Sequence, residues 1–286
     1  MHLPKILTPS FRSLAATLGL HAEVFEGRLV IWAPMWKQAL SINSVFCDAL
    51  VSNRILTQEQ MEHAAQRYRL GASNSRGVIF WQIDHEGRIH DGKIMYYRTD
   101  CHRDKSHNPT WVSALLARRE AALMQTPHHP LALRHTTSHC LFGLHLLDVT
   151  NRPTAMEPMR DTPPVAVVEA EKTAVIMSEI YPDYLWLAAG GLTQLQPDKF
   201  RPLRGHRLIL FPDTDPTGEA YKLWYETAQM VQQQLFWEGS PPIHVSDLLE
   251  RHATEDQKQR KIDLADYYLE SVSHKVITTN SYTFNP

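Results

Sequence analysis

Cysteine is scarce in this sequence. Its three residues, Cys47, Cys101 and Cys140, lie far apart and are odd in number. They supply neither a paired zinc-ligand spacing nor a disulfide framework, which fits a reducing cytoplasm. The histidines beside them, His102 and His107 near Cys101 and His135 and His139 near Cys140, lack the arrangement structural zinc requires and read as incidental. An excess of one charge is missing too. The formal net charge is −2, so no global positive field marks a polyanion partner, and any nucleic-acid site must be a local patch. Long apolar runs are also absent. The opening residues Met1 to Leu7 lack the apolar core of a signal peptide, and no stretch is long enough to span a bilayer. A cytoplasmic protein without a membrane partner is therefore expected. What remains is an ordinary globular composition, and 286 residues allow one large domain or two modest ones.

Residues 1–74 read as helical and connective. Ser10 is placed to cap a short helix that stops near Gly19. Thr57 and Gln60 form a capping-box pattern, and the helix behind them carries Met61, Ala64, Ala65 and Tyr68 on one side before Gly71. Trp32, Pro34, Met35 and Trp36 form an aromatic cluster, read as core or cap ahead of a partner surface. From Gly77 the period becomes that of strands. Gly77 to Asp84 and Arg88 to Tyr97 flank His85, Glu86 and Gly87, a hairpin connection, so residues 75–150 are expected to build on this hairpin. A basic, histidine-rich stretch follows between Arg98 and Arg134, with His128 and His129 in it. There Arg103 and Lys105 either grip phosphates, the sequence-independent part of nucleic-acid binding, or belong to a solvated face with Asp100 and Asp104. Arg152 to Pro164 is proline-rich and polar, a linker into the second half.

Two later stretches share one pattern. Val165 to Val168 is a continuous apolar run that ends in Glu169 and leads into a helical segment reaching about Ile180. Leu208 to Phe211 is another, followed by Asp213, Asp215, Pro216 and Gly218. A helix then runs to about Gln234, with Tyr221, Trp224, Tyr225 and Ala228 on its inner side. Buried parallel strands read as such apolar runs, and ligands of open α/β sheets sit at their carboxyl ends. As parallel neighbours, the two strands would bring Glu169, Asp213 and Asp215 to one rim. Oxygen ligands of this kind suit a hard cation such as Mg²⁺ or Mn²⁺. Converging carboxylates also repel one another, raising at least one pKa and favouring a cation. Tyr184 to Ala189 reads as a further buried strand, closed by Gly190 and Gly191, which permit a tight turn and close backbone approach. Lys199, Arg201, Arg204 and Arg207, with no acid among them, either steer phosphates or form a solvated connection. Beyond Pro241 an edge strand, helices at Asp247 to Glu250 and Lys261 to Tyr268, and a frayed tail from Val276 are expected.

The strand-end Glu169 and the Asp213, Asp215 pair with Gly218 resemble the two motifs of the TOPRIM domain of bacterial primases, topoisomerases and some nucleases. The first motif reads Val168, Glu169, Ala170, Glu171, Lys172, Thr173, Ala174, with Ala170 where the family generally has glycine. The hairpin, Lys105, the Trp111 segment and Cys140 to His145 are together similar to the catalytic core of bacterial replicative primases. They are similar also to TOPRIM proteins of bacterial mobile genetic elements, many of which carry an N-terminal zinc-binding module that these cysteines do not supply. Asp263 and Asp266 resemble a segment that follows TOPRIM in primases of phages and plasmids; each is equally a candidate helix cap.

The resemblance implies an α/β fold: a Rossmann-type sheet of parallel strands flanked by helices over residues 163–240. A helical and hairpin α+β part precedes it, and a helical extension covers 241–286. It implies Glu169, Asp213 and Asp215 as catalytic residues and ligands of Mg²⁺ or Mn²⁺. Gly190, Gly191 and Gly218 would line the site, and Arg103, Lys105, Lys172, Lys199, Arg201, Arg204 and Arg207 would meet nucleic acid or phosphate. The expected activity is primase-like nucleotidyl transfer on single-stranded DNA, in a phage or mobile element. Nucleotides are the co-substrate, and a helicase or mobilisation protein is a possible partner. A metal-dependent nuclease and a non-catalytic adaptor of a replication or mobilisation complex are the alternatives.

Overall fold

Two sheets of opposite kind organise the chain. The structure, a computed structural model, describes residues 21–25, 28–32, 40–115, 118, 139–147, 162–236 and 240–275. Outside these lie the expected Ser10 helix, the side chains of the Trp32 to Trp36 cluster, His128, His129, His135, most of the 152–164 linker and the tail from Val276. The chain divides into two compact units, Met1–Leu146 and Leu147–Pro286. The sequence-drawn segments 1–74 and 75–150 fall essentially in the first, and 163–240 and 241–286 in the second.

The first unit is built on antiparallel strands. These are β1 (His21–Phe25), β2 (Arg28–Trp32), β3 (Gly71–Ala72), β4 (Val78–Ile83), β5 (Ile89–Met95) and β6 (Thr110–Trp111). Their order is β1-β2-β5-β4-β3, with β6 also paired to β5. The pair β1–β2 corrects the expectation that the N-terminal region is helical. Its strands carry Val24, Val30 and Ile31, β-branched residues that suit a pleated surface.

Helices α1 (Val45–Ser52) and α2 (Gln58–Tyr68) belong to the same unit. The capping box expected at α2 is present: Gln60 N–H donates to Thr57 Oγ1 at 3.1 Å, and Thr57 N–H donates to Gln60 Oε1 at 2.9 Å. Strand β4 is buried along its whole length. Phe80 on it meets Phe46 of α1 edge-on at 5.6 Å and Phe142 at 5.4 Å, and Phe142 stacks on Tyr68 of α2 at 5.1 Å. Opposite Trp81 stands Gly92, where a Cβ would lie 2.8 Å from both Ile79 Cγ2 and the Trp81 ring. Only glycine lets that ring lie across the strand.

The second unit is a parallel sheet of β7 (Val165–Val168), β8 (Leu185–Ala188), β9 (Leu208–Phe211) and β10 (His244–Val245), in the order β10-β9-β7-β8. Strands β7 and β8 are buried throughout, as the continuous apolar runs predict. Helix α3 (Glu171–Ile180) joins β7 to β8, and α4 (Glu219–Leu235) joins β9 to β10. Three helices follow: α5 (Leu248–His252), α6 (Glu255–Arg260) and α7 (Leu264–Lys275). The inner face of α4 is Ala220, Trp224, Thr227, Ala228, Val231 and Leu235. Tyr225, expected inside, is exposed and stacks loosely on Tyr221 at 6.2 Å. Among the described residues no helix is long and apolar enough to cross a membrane.

Strand order places the site. From β7 the chain steps to β8 on one side, then returns past β7 to β9 on the other. The carboxyl ends of β7 and β9 therefore form a topological switch point, where crossovers diverge and a crevice opens.

Candidate functional site

Glu169 follows directly on β7, and Asp213 comes two residues after β9. The strands are in register there, with Val168 opposite Phe211. Both acids thus stand at the switch point. The Asp213 loop is tied down by Thr214, whose N–H donates to the Ile262 carbonyl at 3.2 Å and whose hydroxyl donates to Glu250 Oε1 at 3.3 Å. The first of these bonds draws the residues before α7 onto the rim. Asp263 and Asp266 then join the charges acting on Asp213.

The result is an unbalanced cluster. Burial, then the negative charges of Glu169 and Asp263, and also that of Asp266, push the Asp213 carboxyl well above the ordinary aspartate range, against the opposing pull of Lys172. Lys172, on the first turn of α3, places Nζ 3.0 Å from Asp263 Oδ2 and 2.8 Å from Asp266 Oδ1. Asp263 further accepts from Thr173 Oγ1 at 2.8 Å and from the Asp266 N–H at 2.8 Å. Burial works to raise the Asp263 pKa, but Lys172 and these hydrogen bonds outweigh it and the net direction is down. Asp266 moves up, through burial and the charge of Asp263.

Asp215 stands apart from this cluster. Its Oδ1 accepts from Thr217 N–H at 2.8 Å, Thr217 Oγ1 at 2.6 Å and Glu219 N–H at 3.3 Å, and its Oδ2 accepts from Ala220 N–H at 2.7 Å. Gly218, the residue before α4, has no side chain to cap it, and Asp215 supplies the acceptor for the first turn. Burial alone would raise its pKa; the hydrogen bonds from Thr217, Ala220 and Glu219 hold it at about 2. The expected triad is therefore two acids at the rim and one anchoring the helix.

The other sequence-derived residues separate in the same way. Gly190 and Gly191 lie at the rim, where Gly190 N–H donates to the Glu169 carbonyl at 2.9 Å. Their φ values of 92° and 144° are ones a side chain rarely allows. Lys199 Nζ lies 3.5 Å from the Ala189 carbonyl, at the carboxyl end of β8 and so on the rim side. Arg207 precedes β9, whose four residues separate it from the Asp213 end. At about 3.3 Å per residue that puts Arg207 at the opposite edge of the sheet. Arg204 and Arg201 are exposed, and Arg201 pairs with Asp198 at 2.9 Å. Arg103 and Lys105 are exposed residues of the first unit.

Sequence reading did not count Asp263 and Asp266 among the site residues. Their signals were the resemblance of the segment to one that follows TOPRIM and the spacing of two aspartates at a helix start, which an ordinary cap shares.

Among the described residues no group of three His, Cys, Asp or Glu side chains is placed to hold a metal ion. The donor set does fit Mg²⁺ or Mn²⁺ in the form those ions commonly take, with one or two carboxylates plus water and substrate phosphate oxygens. The surplus negative charge that raises Asp213 is what a cation would relieve.

Fold and site together define an α/β protein with a parallel, helix-flanked sheet and an acidic rim at its switch point. The chain belongs to the DUF6371 family, described as a domain of unknown function, whose model matches residues 44–214, a span that contains both Glu169 and Asp213. No curated protein matches the sequence. Among solved structures, the primase fragment of the bacteriophage T7 primase-helicase protein aligns at 15% identity over 76% of this chain and 69% of that one, with a TM-score of 0.43. The zinc-binding and RNA polymerase domains of the Aquifex aeolicus primase align at 13% identity over 84% of this chain and 67% of that one, with a TM-score of 0.36. At that distance the fold is read from this chain's own strand order.

Proposed function

We propose that the acidic rim performs metal-dependent phosphoryl transfer on nucleic acid, and that the reaction is primase-like nucleotidyl transfer on single-stranded DNA. The observation that carries this reading is Asp213: a carboxyl at the switch point of a parallel sheet, raised by burial and by Glu169, Asp263 and Asp266. Perturbed groups of this kind, seated where α/β sheets bind ligands, are candidates for function. The motif resemblance at Glu169 and Asp213 supports the same reading.

In this reading Asp213 would hold Mg²⁺ or Mn²⁺, and Glu169 would be either a further ligand or the group that accepts and returns the proton of the attacking hydroxyl. When bound, the ion supplies charge neutralisation to the phosphoryl oxygens. Asp215 fixes the start of α4 and with it the Asp213 loop. Lys199 and the backbone at Gly190 and Gly191 face the strand ends where phosphates would lie. Arg103 and Lys105 would contact the DNA backbone from the first unit.

The test incubates purified protein with single-stranded DNA, labelled ribonucleotides and Mg²⁺ or Mn²⁺, beside Glu169→Gln and Asp213→Asn. Labelled oligomers that disappear in both variants are expected. Shortened DNA without added nucleotide would replace this reading with a nuclease at the same rim, and absence of either product would leave an adaptor.

A further inference from the structure

Lys172 is a cation fixed inside the acidic cluster of the rim, and its position bears on how many mobile ones that cluster can take. Lys172 is held between Asp263 and Asp266 at 3.0 and 2.8 Å, and its side chain is 13% exposed. The acceptors on Asp263 are occupied from several directions. Oδ2 receives Thr173 Oγ1–H at 2.8 Å and the Lys172 ammonium, while Oδ1 receives the Asp266 N–H at 2.8 Å. Hydrogen-bond donors aimed at both oxygens suit a carboxylate kept by the protein, not one offered to an ion. Asp213 differs. It sits among the negative charges of Glu169, Asp263 and Asp266, and Lys172 offsets only part of that field.

We propose that Lys172 is the resident cation of the rim and stands in the place of a second divalent ion, so that the site binds one. This rests on the metal-dependent reading given above. Two-metal phosphoryl-transfer sites hold their ions about 3.5–4 Å apart within a shared carboxylate set. Here the Asp263, Asp266 half of the acidic set is already bridged by an ammonium. A divalent ion arriving there would have to displace a buried lysine and strip Thr173 and Asp266 of their acceptor, leaving polar groups unpaired. Lys172 is on this account a positioning residue, keeping the start of α7 against α3 and the acids beside Asp213 half neutralised.

The test counts Mn²⁺ bound to the full chain, read from the loss of the free-ion electron paramagnetic resonance signal on titration. Wild type should bind one equivalent, and Asp213→Asn should lose it. Lys172→Met, which keeps the stem and removes the charge, should bind two. Lys172→Arg should return to one, and Asp266→Asn should stay at one. Two equivalents in wild type, with one lost in Asp266→Asn, would overturn the role of Lys172 and leave the metal-dependent reading intact. No Mn²⁺ bound by wild type would overturn that reading itself. If Lys172→Met does not fold, wild type, Lys172→Arg and Asp266→Asn decide between one ion and two. A single equivalent in folded Lys172→Met also overturns the proposal.

Discussion

Asp84 in the first unit and Asp213 in the second both follow apolar strands, Asp84 buried and Asp213 half-buried. Their carboxyls are driven in opposite directions. Asp84, 3% exposed, is met by Arg88 Nε at 2.7 Å, His90 Nε2 at 2.8 Å and the N–H groups of Glu86 and Arg88, each at 2.9 Å. Burial would raise its pKa, yet His90 and Arg88 outweigh that and hold it well below the usual range. Asp213 is met by like charges and goes up. A tight hairpin brings Asp84 its partners from within six residues. A crossover sheet brings Asp213 neighbours from strands and helices far away in sequence. A buried carboxylate with its partners in place is costly to disrupt; one left among like charges costs stability, and perturbed groups of that kind cluster at functional sites.

The largest effect is expected where that comparison is broken at the rim. Asp213→Asn should lower metal-dependent turnover by roughly 10²–10³-fold, equivalent to several kcal/mol of charge stabilisation. Its stability should move the other way. The folded pKa lies above the unfolded value of about 3.9, so between them the folded state holds the proton more tightly and loses stability as pH rises. At pH 7 without metal the variant should melt at an equal or higher temperature than wild type. The difference should close as pH falls toward about 4, which a melting series across pH would follow.

Asp84→Ala tests the satisfied carboxylate. Removing the acceptor from Arg88, His90 and two backbone N–H groups should destabilise the protein by about 3 kcal/mol in denaturant unfolding. The folded pKa here is depressed, so the stabilisation is present above about pH 4 and is lost as pH falls below it. The variant should therefore show a shallower acid dependence than wild type.

Gly92→Ala tests packing beside that hairpin. A methyl 2.8 Å from Ile79 and Trp81 must push one of them aside, at about 1–3 kcal/mol. The smallest effect is expected at Thr57→Ala, which removes one half of the capping box of α2 at about 1 kcal/mol. Its chemical denaturation midpoint should shift with the m-value unchanged.

Much of the second unit was legible beforehand because its signals are local. Strands β7, β8 and β9 are short continuous apolar runs, and α3 and α4 start within a few residues of their acids. The capping box at Thr57 and the hairpin around Gly87 were visible for the same reason. Where a longer-range fact decides, the reading fell short. Strand β1 pairs with β2, and β2 in turn with β5, and a few β-branched residues in a mixed segment do not announce that partner. Tyr225 has the spacing of an inner residue, but the inner face of α4 is centred on Trp224 and Ala228, and Tyr225 falls just outside it.

The site divides along the same line. Asp213 and Asp215 look equivalent in sequence, one residue apart after one strand. The turn into α4 gives Asp215 four hydrogen bonds at the helix start and leaves Asp213 toward Glu169. The four basic residues from Lys199 to Arg207 look like one patch. The direction of β9 sends Lys199 to the rim and Arg207 to the far edge.

The sequence by itself determined which segments become buried strands, where helices begin, and that acids end two of those strands. These follow from apolar periodicity, turn residues and caps, all properties of neighbours along the chain. Only the tertiary structure decided that β7 and β9 lie side by side, that Thr214 ties Ile262 to the rim, and that Lys172 is shared by Asp263 and Asp266. Electrostatic neighbours are set by distance in space, and a chain that crosses its own sheet brings together charges that sequence order keeps about ninety residues apart.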